Sequence, residues 1–473
     1  MIESSPHESR RILEFLVAIQ VAVFVVGVSW AFGGNADWVR TPISLWGSLG
    51  IALTAVIIAL RDPRQVGAGT FLWLVPIAAL NVLVLVSCLT PGFKVLAYGN
   101  ETYLMPIKIP FWKPSAAVPG LAAKELWLFD GIYFSCANIA LAVANRKLIR
   151  IVLAAAVGNA LALSIFGTVQ KLVGSTGIYF GSVKSPQDYF FASFVYDNHW
   201  GAFIILMSGA CFGLVLRYLS GPKGGGLFRG PAFVGIVAAF LIAISVPLSG
   251  ARTCTLLLGI LTGVALVKGI STASAALRQS GVSPVGAKIG IAVVVVLAAW
   301  TTWEIDGDVI QSRVSKAKLQ ISSAWAEGGL GARSILYHDT WRMARDRPLF
   351  GWGMASYPSV FPLYNTQVPK GDRIPVVYHD AHSDWLQSVS EIGFVGTIFI
   401  GIAVLLPALS VRKLSISPLP HFLLLGCGLV AAYAWVEFPF GNVAVVLAWW
   451  LCFICAIQYV RLSGLRTVKH QND

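Results

Sequence analysis

The sequence predicts an all-α polytopic membrane protein, and three observations predict it. Of the 473 residues, 56% are hydrophobic and 12% charged, with a mean hydropathy of +0.73, which is more apolar surface than a soluble domain can cover. The apolar residues gather into runs long enough to cross a bilayer, which takes about 20 residues. The Lys and Arg residues fall in short loops that alternate along the chain with less basic ones. That asymmetry is how a polytopic chain sets its orientation.

Apolar runs lie at 12–32, 43–60, 71–89, 126–144, 148–169, 200–216, 233–248, 253–267, 289–303, 385–409, 422–435 and 443–460, which amounts to about twelve spanning helices. The first run is longer than the apolar region of a cleavable signal, and no small-residue cleavage site follows it, so it reads as a span. Loops containing Arg61 and Arg64, Arg146 and Lys147, Arg217 and Lys223, Lys268 and Arg278, and Arg412 and Lys413 alternate regularly. Arg10, Arg11, Arg461 and Arg466 join them, so both termini are expected in the cytoplasm. The net charge of +13 therefore reports topology, and no nucleic-acid partner is expected. The seven cysteines sit in or at the ends of apolar runs, which argues against disulfides, and the CxxC spacing of Cys452 and Cys455 reads as helix packing.

The chain reads as one membrane domain, 1–473, with no repeat or separate soluble domain. Two segments on the non-cytoplasmic side are long: 90–124, and a large loop, 304–384, between the ninth and tenth helices. The second is too long for an idle connection. Within it, 309–326 and 334–345 have helical spacing, while Pro348, Gly351, Gly353 and Pro358 mark a turn region.

Unrelated polar residues share that face. Asn198 opens the sixth helix, Arg252 sits in the tight turn Ser249-Gly250-Ala251-Arg252, Arg333 lies in the large loop, and His382 ends it. Asp130 and Glu437 are expected near the outer ends of the fourth and eleventh helices, where ionisable groups are costly unless paired or functional. Arg252 has a bland reading as a lipid or carboxylate anchor and a functional one as a phosphate fork. His382 is either a helix-end residue or a base for a hydroxyl proton. Glu391 either orients His382 or an arginine, or complements the helix dipole. His379, Asp380 and His382 would also suit a metal, but no further ligand set with a recognisable spacing accompanies them, so no metal or cofactor is expected.

Three stretches resemble the O-antigen ligase and O-antigen polymerase superfamily of membrane glycosyltransferases. Arg333 to Tyr337, Trp341 and Pro348-Leu349-Phe350-Gly351-Trp352-Gly353 resemble its loop pattern of an Arg, an aromatic and a Pro-Leu-aliphatic-Gly-x-Gly turn. Ala381-His382-Ser383-Asp384-Trp385-Leu386-Gln387, with Glu391-Ile392-Gly393, resembles its Ala-His-Asn-x-aromatic-Leu-Gln segment and following Glu-x-Gly. Ser249 to Arg252 resembles its Ser-x-Ser/Ala-Arg turn. A fourth, weaker match is Phe194-Val195-Tyr196-Asp197-Asn198-His199-Trp200, similar to a stretch ending Asn-His-Phe. Ser383 departs from the pattern, since the family usually has Asn there.

The resemblance implies a GT-C-like helical glycosyltransferase in the bacterial inner membrane, with its site facing the periplasm. By resemblance Arg252 and Arg333 grip the diphosphate of an undecaprenyl-diphosphate-linked glycan donor and His382 activates the acceptor, with Asn198, Glu391 and Asp380 in support. Membrane lipids surround the enzyme. The acceptor implied is the lipid A-core of lipopolysaccharide, as in an O-antigen ligase; the alternatives are a second lipid-linked glycan, as in a polymerase, and a protein. A lipid-linked glycan transporter would place charges at mid-bilayer in broken helices of related halves. Here the charges gather at one end and no internal repeat is visible.

Overall fold

A segment in lipid must satisfy its own backbone hydrogen bonds, so apolar runs of bilayer length become helices. The computed structural model describes residues 6–60, 68–99, 101–220, 230–279, 332–367 and 377–472. In chain order its helices are α1 (Pro6–Trp30), α2 (Asp37–Ala59), α3 (Val75–Cys88), α4 (Pro119–Ala142), α5 (Arg146–Leu172), α6 (Asp197–Leu219), α7 (Pro231–Ser249), α8 (Arg252–Gln279), α9 (Ala332–Asp346), the single turn α10 (Tyr357–Val360), α11 (Asp384–Val411), α12 (Pro418–Tyr433) and α13 (Val443–Asn472). Nine helices among the described residues are long and apolar enough to cross a membrane, which makes this a multi-pass membrane protein. α4, with Lys124, Glu125 and Asp130, and the 16-residue α12 also coincide with expected spans. The spans expected at 289–303 and the helix expected at 309–326 lie outside the described residues.

Helix starts follow local chemistry. Prolines open α3, α4, α7 and α12, where a missing N–H costs nothing. Asn145 caps α5 by accepting from Lys147 N–H at 2.8 Å. α7 ends on Gly250 in the left-handed region (φ 101°), so the chain reverses directly into Arg252, the first residue of α8.

Two central helices organise the bundle. α13 and α6 have 94% and 78% of their spanning windows buried by protein, against 17% for α8, so they form the axis while α8 faces outward. Close approaches depend on absent side chains: a Cβ on Gly47 of α2 would meet Gly131 Cα of α4 at 2.7 Å, and one on Gly209 of α6 would meet Phe422 O of α12 at 2.7 Å. Hydrogen bonds identify the two ends. At one end Asn442 before α13, Asn35 after α1 and His199 of α6 are joined in series. At the other, Arg146 of α5 donates to Ser463 Oγ (2.9 Å) and Arg461 to Thr70 Oγ1 (2.8 Å), where the basic loops gather.

Three features differ from the all-helical expectation. The segment 90–124 contains an antiparallel hairpin, β1 (Phe93–Tyr98) paired with β2 (Glu101–Pro106). α4 begins at Pro119, so Asp130 sits about three turns inside it rather than at its end, where it accepts from Asn81 Nδ2 at 2.9 Å. α11 is broken at Gly393 (φ 66°, ψ −178°), a conformation open to glycine alone.

That break is a docking point. Phe394 N–H donates to Pro348 O (2.8 Å) and Val395 N–H to Leu349 O (3.1 Å), while Trp352 N–H and Gly353 N–H donate to Ser390 O (3.0 Å) and Glu391 O (2.7 Å). The Glu391 carboxylate accepts from the backbone N–H groups of Ala355 and Tyr357, both at 3.0 Å, and from Gln387 Nε2 at 3.3 Å. The Pro348–Gly353 turn is thereby latched to the helix, and Glu391 serves the loop backbone. Sequence left Glu391 between His382, an arginine and the helix dipole.

Gly393→Ala should disrupt the latch, because the new Cβ would meet Leu349 O at 2.2 Å in addition to a strained backbone costing about 1–3 kcal/mol. Thermal unfolding in detergent followed by size exclusion should reveal a lower midpoint. Glu391→Leu should strand two backbone N–H groups at about 1–3 kcal/mol each, and Glu391→Gln should be milder because one acceptor survives. Limited proteolysis near 355–367 should accelerate in that order, and equal rates for both variants would contradict this account of the carboxylate.

Candidate functional site

His382 is aimed by its neighbours. Ser383 caps α11 by accepting from Leu386 N–H at 3.5 Å, and the Gln387 side chain reaches back to accept from Ala381 N–H at 3.0 Å. Between these two ties His382 is held at φ 51°, a left-handed conformation that costs roughly 1–2 kcal/mol outside glycine. Ser383 thus performs a capping task that Asn performs equally well. Tyr337 of α9 fixes the same point from the side, its hydroxyl donating to His382 O at 2.9 Å. Burial raises the Tyr337 phenol above its ordinary value and keeps it a donor.

The residue that joins the site is Glu437, in the turn after α12. One carboxylate oxygen is 3.2 Å from His382 Nδ1, and the other takes a short charge-assisted hydrogen bond from Arg333 Nη2. Arg333 Nη1 also reaches Val436 O at 3.4 Å. The Glu437 side chain is 5% exposed, Arg333 47% and His382 27%, so a buried anion underlies two groups that open outward. Burial opposes the charge of Arg333, but the Glu437 carboxylate outweighs it and holds the guanidinium above its ordinary value. A charged carboxylate only accepts, so the proton of a neutral His382 sits on Nδ1 and Nε2 is left basic.

A second layer fixes Glu437. Asp384 N–H donates to Ala434 O (2.9 Å) and Glu437 O (3.3 Å), and Asp384 Oδ2 accepts from Phe440 N–H at 2.8 Å. Phe438 lies edge-on to His382 (centroids 4.7 Å apart) and to His199 (5.1 Å), and stacks on Tyr196 at 5.5 Å. The buried His199 accepts from Asn35 at Nδ1 (3.4 Å), so its Nε2–H donates to Phe438 O at 3.2 Å. The Asp197-Asn198-His199 stretch thus reaches the site through His199. Asn198 donates to Tyr196 Oη at 2.8 Å.

The other expected residues occupy the same end. Asp380, two positions before His382, is part-buried, and burial raises its carboxyl against the pull of His382 and His379. Arg252 is exposed at the start of α8, whose Cys254 donates to Asn198 O at 3.7 Å and whose preceding Ala251 packs on Gly201. Arg333 and His382 meet through Glu437, whereas Arg252 lies beside α6, next to Ala251 and Cys254, which pack on Gly201. Among the described residues no cluster of three or more His, Cys, Asp or Glu could hold a metal ion.

Sequence reasoning singled out Glu437 only as a costly acid at a helix end, which was signal enough to find it but not to assign its partners. Phe438, Asn35 and Asn442 carried no signal.

No curated protein matches the chain. Residues 237–401, the segment that holds Arg252, Arg333 and His382, match the family model described as O-antigen ligase.

Proposed function

We propose that the chain is an O-antigen ligase, transferring a glycan from undecaprenyl diphosphate to a hydroxyl of lipid A-core at the periplasmic face of the bacterial inner membrane. The observation that carries this reading is the Arg333–Glu437–His382 linkage, which unites a fixed cation and an oriented imidazole at one end of the bundle. The acceptor oxygen attacks the anomeric carbon while His382 Nε2 takes its proton, and the bond to the diphosphate breaks in the same step, with inversion and no glycosyl-enzyme. Negative charge grows on the departing diphosphate. Arg252, and those of Arg333's five N–H donors not engaged by Glu437 and Val436, stabilise it without a metal. Glu437 keeps His382 in the Nδ1–H tautomer and stabilises the imidazolium that forms, the role of a triad carboxylate. The basic loops at the opposite end of the bundle support cytoplasmic termini.

Purified protein given lipid-linked glycan and lipid A-core in detergent should form product, and should do so in EDTA. Failure to form product with both substrates present would favour transport over transfer. His382→Ala should abolish transfer with donor binding retained. Arg252→Lys should lose about a hundredfold in rate, the order of 3 kcal/mol, because an ammonium cannot reproduce the bidentate fork. Near-full activity in Arg252→Lys would remove that residue from the site. A deletion strain should display lipopolysaccharide without O-antigen and accumulate lipid-linked polymer, whereas a single capped repeat would identify a polymerase.

A further inference from the structure

The hairpin between α3 and α4 has an unusual outer surface. β1 and β2 pair Lys94 with Met105 and Leu96 with Tyr103, placing these four on one face. Phe93, on the other face, is buried and packs on Trp352 with ring centroids 6.2 Å apart. A two-sided hairpin in water buries one face and presents polar residues on the other. Here the outer face is apolar too: Leu96 is 39% exposed, Tyr103 50% and Met105 54%. The arm that follows continues the pattern, with Phe111 55% and Trp112 61% exposed.

The position of this surface decides what covers it. α3 belongs to a segment able to cross the membrane and ends at Cys88, and β1 starts five residues later, so the first strand hangs from the end of that span. Five residues reach at most about 17 Å, which keeps the hairpin base beside the bilayer boundary. Its base is also pinned: Gly92 N–H donates to Ala116 O (2.6 Å), Ile107 N–H to Gly92 O (2.9 Å), and Ala117 N–H to Trp352 O (2.6 Å). The last bond ties the hairpin to the latched turn beside the site. Lys94, Lys108 and Lys113, all exposed, are interleaved with the apolar side chains. Aromatic side chains with flanking lysines suit the headgroup zone, where rings enter the acyl boundary and ammonium groups meet anionic lipid.

We infer that the β1–β2 hairpin and its following arm dock on the lipid surface at the end of the bundle that carries the site, with Met105 and Trp112 entering the bilayer and Lys94, Lys108 and Lys113 contacting anionic headgroups. The inference is independent of the reaction catalysed. It is tested on the full chain in nanodiscs of phosphatidylcholine with and without phosphatidylglycerol. Spin labels are placed at Met105→Cys, Trp112→Cys and, as a water-facing control, His338→Cys, whose native side chain is 70% exposed. The background carries Cys88→Ser, since the other six cysteines are buried.

Labels at 105 and 112 should collide several-fold more with oxygen than with a water-soluble nickel chelate, the reverse of the label at 338, and should move deeper when phosphatidylglycerol is added. Charge reversal by Lys94→Glu, Lys108→Glu and Lys113→Glu together should remove that lipid response, and its persistence would overturn the headgroup assignment. Chelate access at 105 and 112 equal to that at 338 would overturn docking altogether. Shielding from both collision partners would overturn it in favour of a protein surface, from another chain or a second copy.

Discussion

The Glu437 carboxylate is the constraint on which the rest of the site depends. It is nearly buried, and an anion at the end of a membrane bundle is tolerated only when paired. Its two oxygens are satisfied by residues 104 and 55 positions away, Arg333 and His382. A single side chain therefore brings α9 and the start of α11 to the turn after α12. It also sets the imidazole tautomer, so one ion-pair network serves packing and chemistry together.

Around this centre the structure spends conformational strain where geometry matters. His382 and Ala355 sit in the left-handed region, and Gly351, Gly353 and Gly393 adopt positive φ values within the same few loops. Such backbone persists only when neighbouring bonds over-determine it. Here the bonds are explicit: Ser383 and Gln387 flank His382, and the Glu391 carboxylate and carbonyl hold the 353–357 backbone. The motif residues thus divide into one partly exposed imidazole and several that hold it in place.

The latch also links elements at one end of the bundle that would otherwise be independent. Trp352 of the latched turn stacks under Arg347 at 4.1 Å, donates to Met343 O of α9 at 2.9 Å, and accepts from Ala117 through its backbone. The helix carrying Arg333, the broken α11 and the hairpin at the membrane boundary are therefore braced against one another. Such bracing fixes the relative positions of side chains from distant segments, and small displacements within a functional site cost large factors in rate.

The amino-acid sequence by itself determined that this chain lives in a bilayer, where most of its helices run, and which end of the bundle collects the unusual polar residues. Those properties follow from hydropathy and from the placement of Lys and Arg, which act locally and can be read one segment at a time. It also marked Arg252, Arg333 and His382, because their motifs are local. Only the tertiary structure decided what those residues touch. The Glu437 bridge, the service of Glu391 to a loop 36 residues away, the approach of His199 to Phe438 and the pairing of β1 with β2 are contacts between segments whose partners no local pattern specifies. A carboxylate looks alike in sequence whether it holds a helix end, a loop or an imidazole; packing chooses among them.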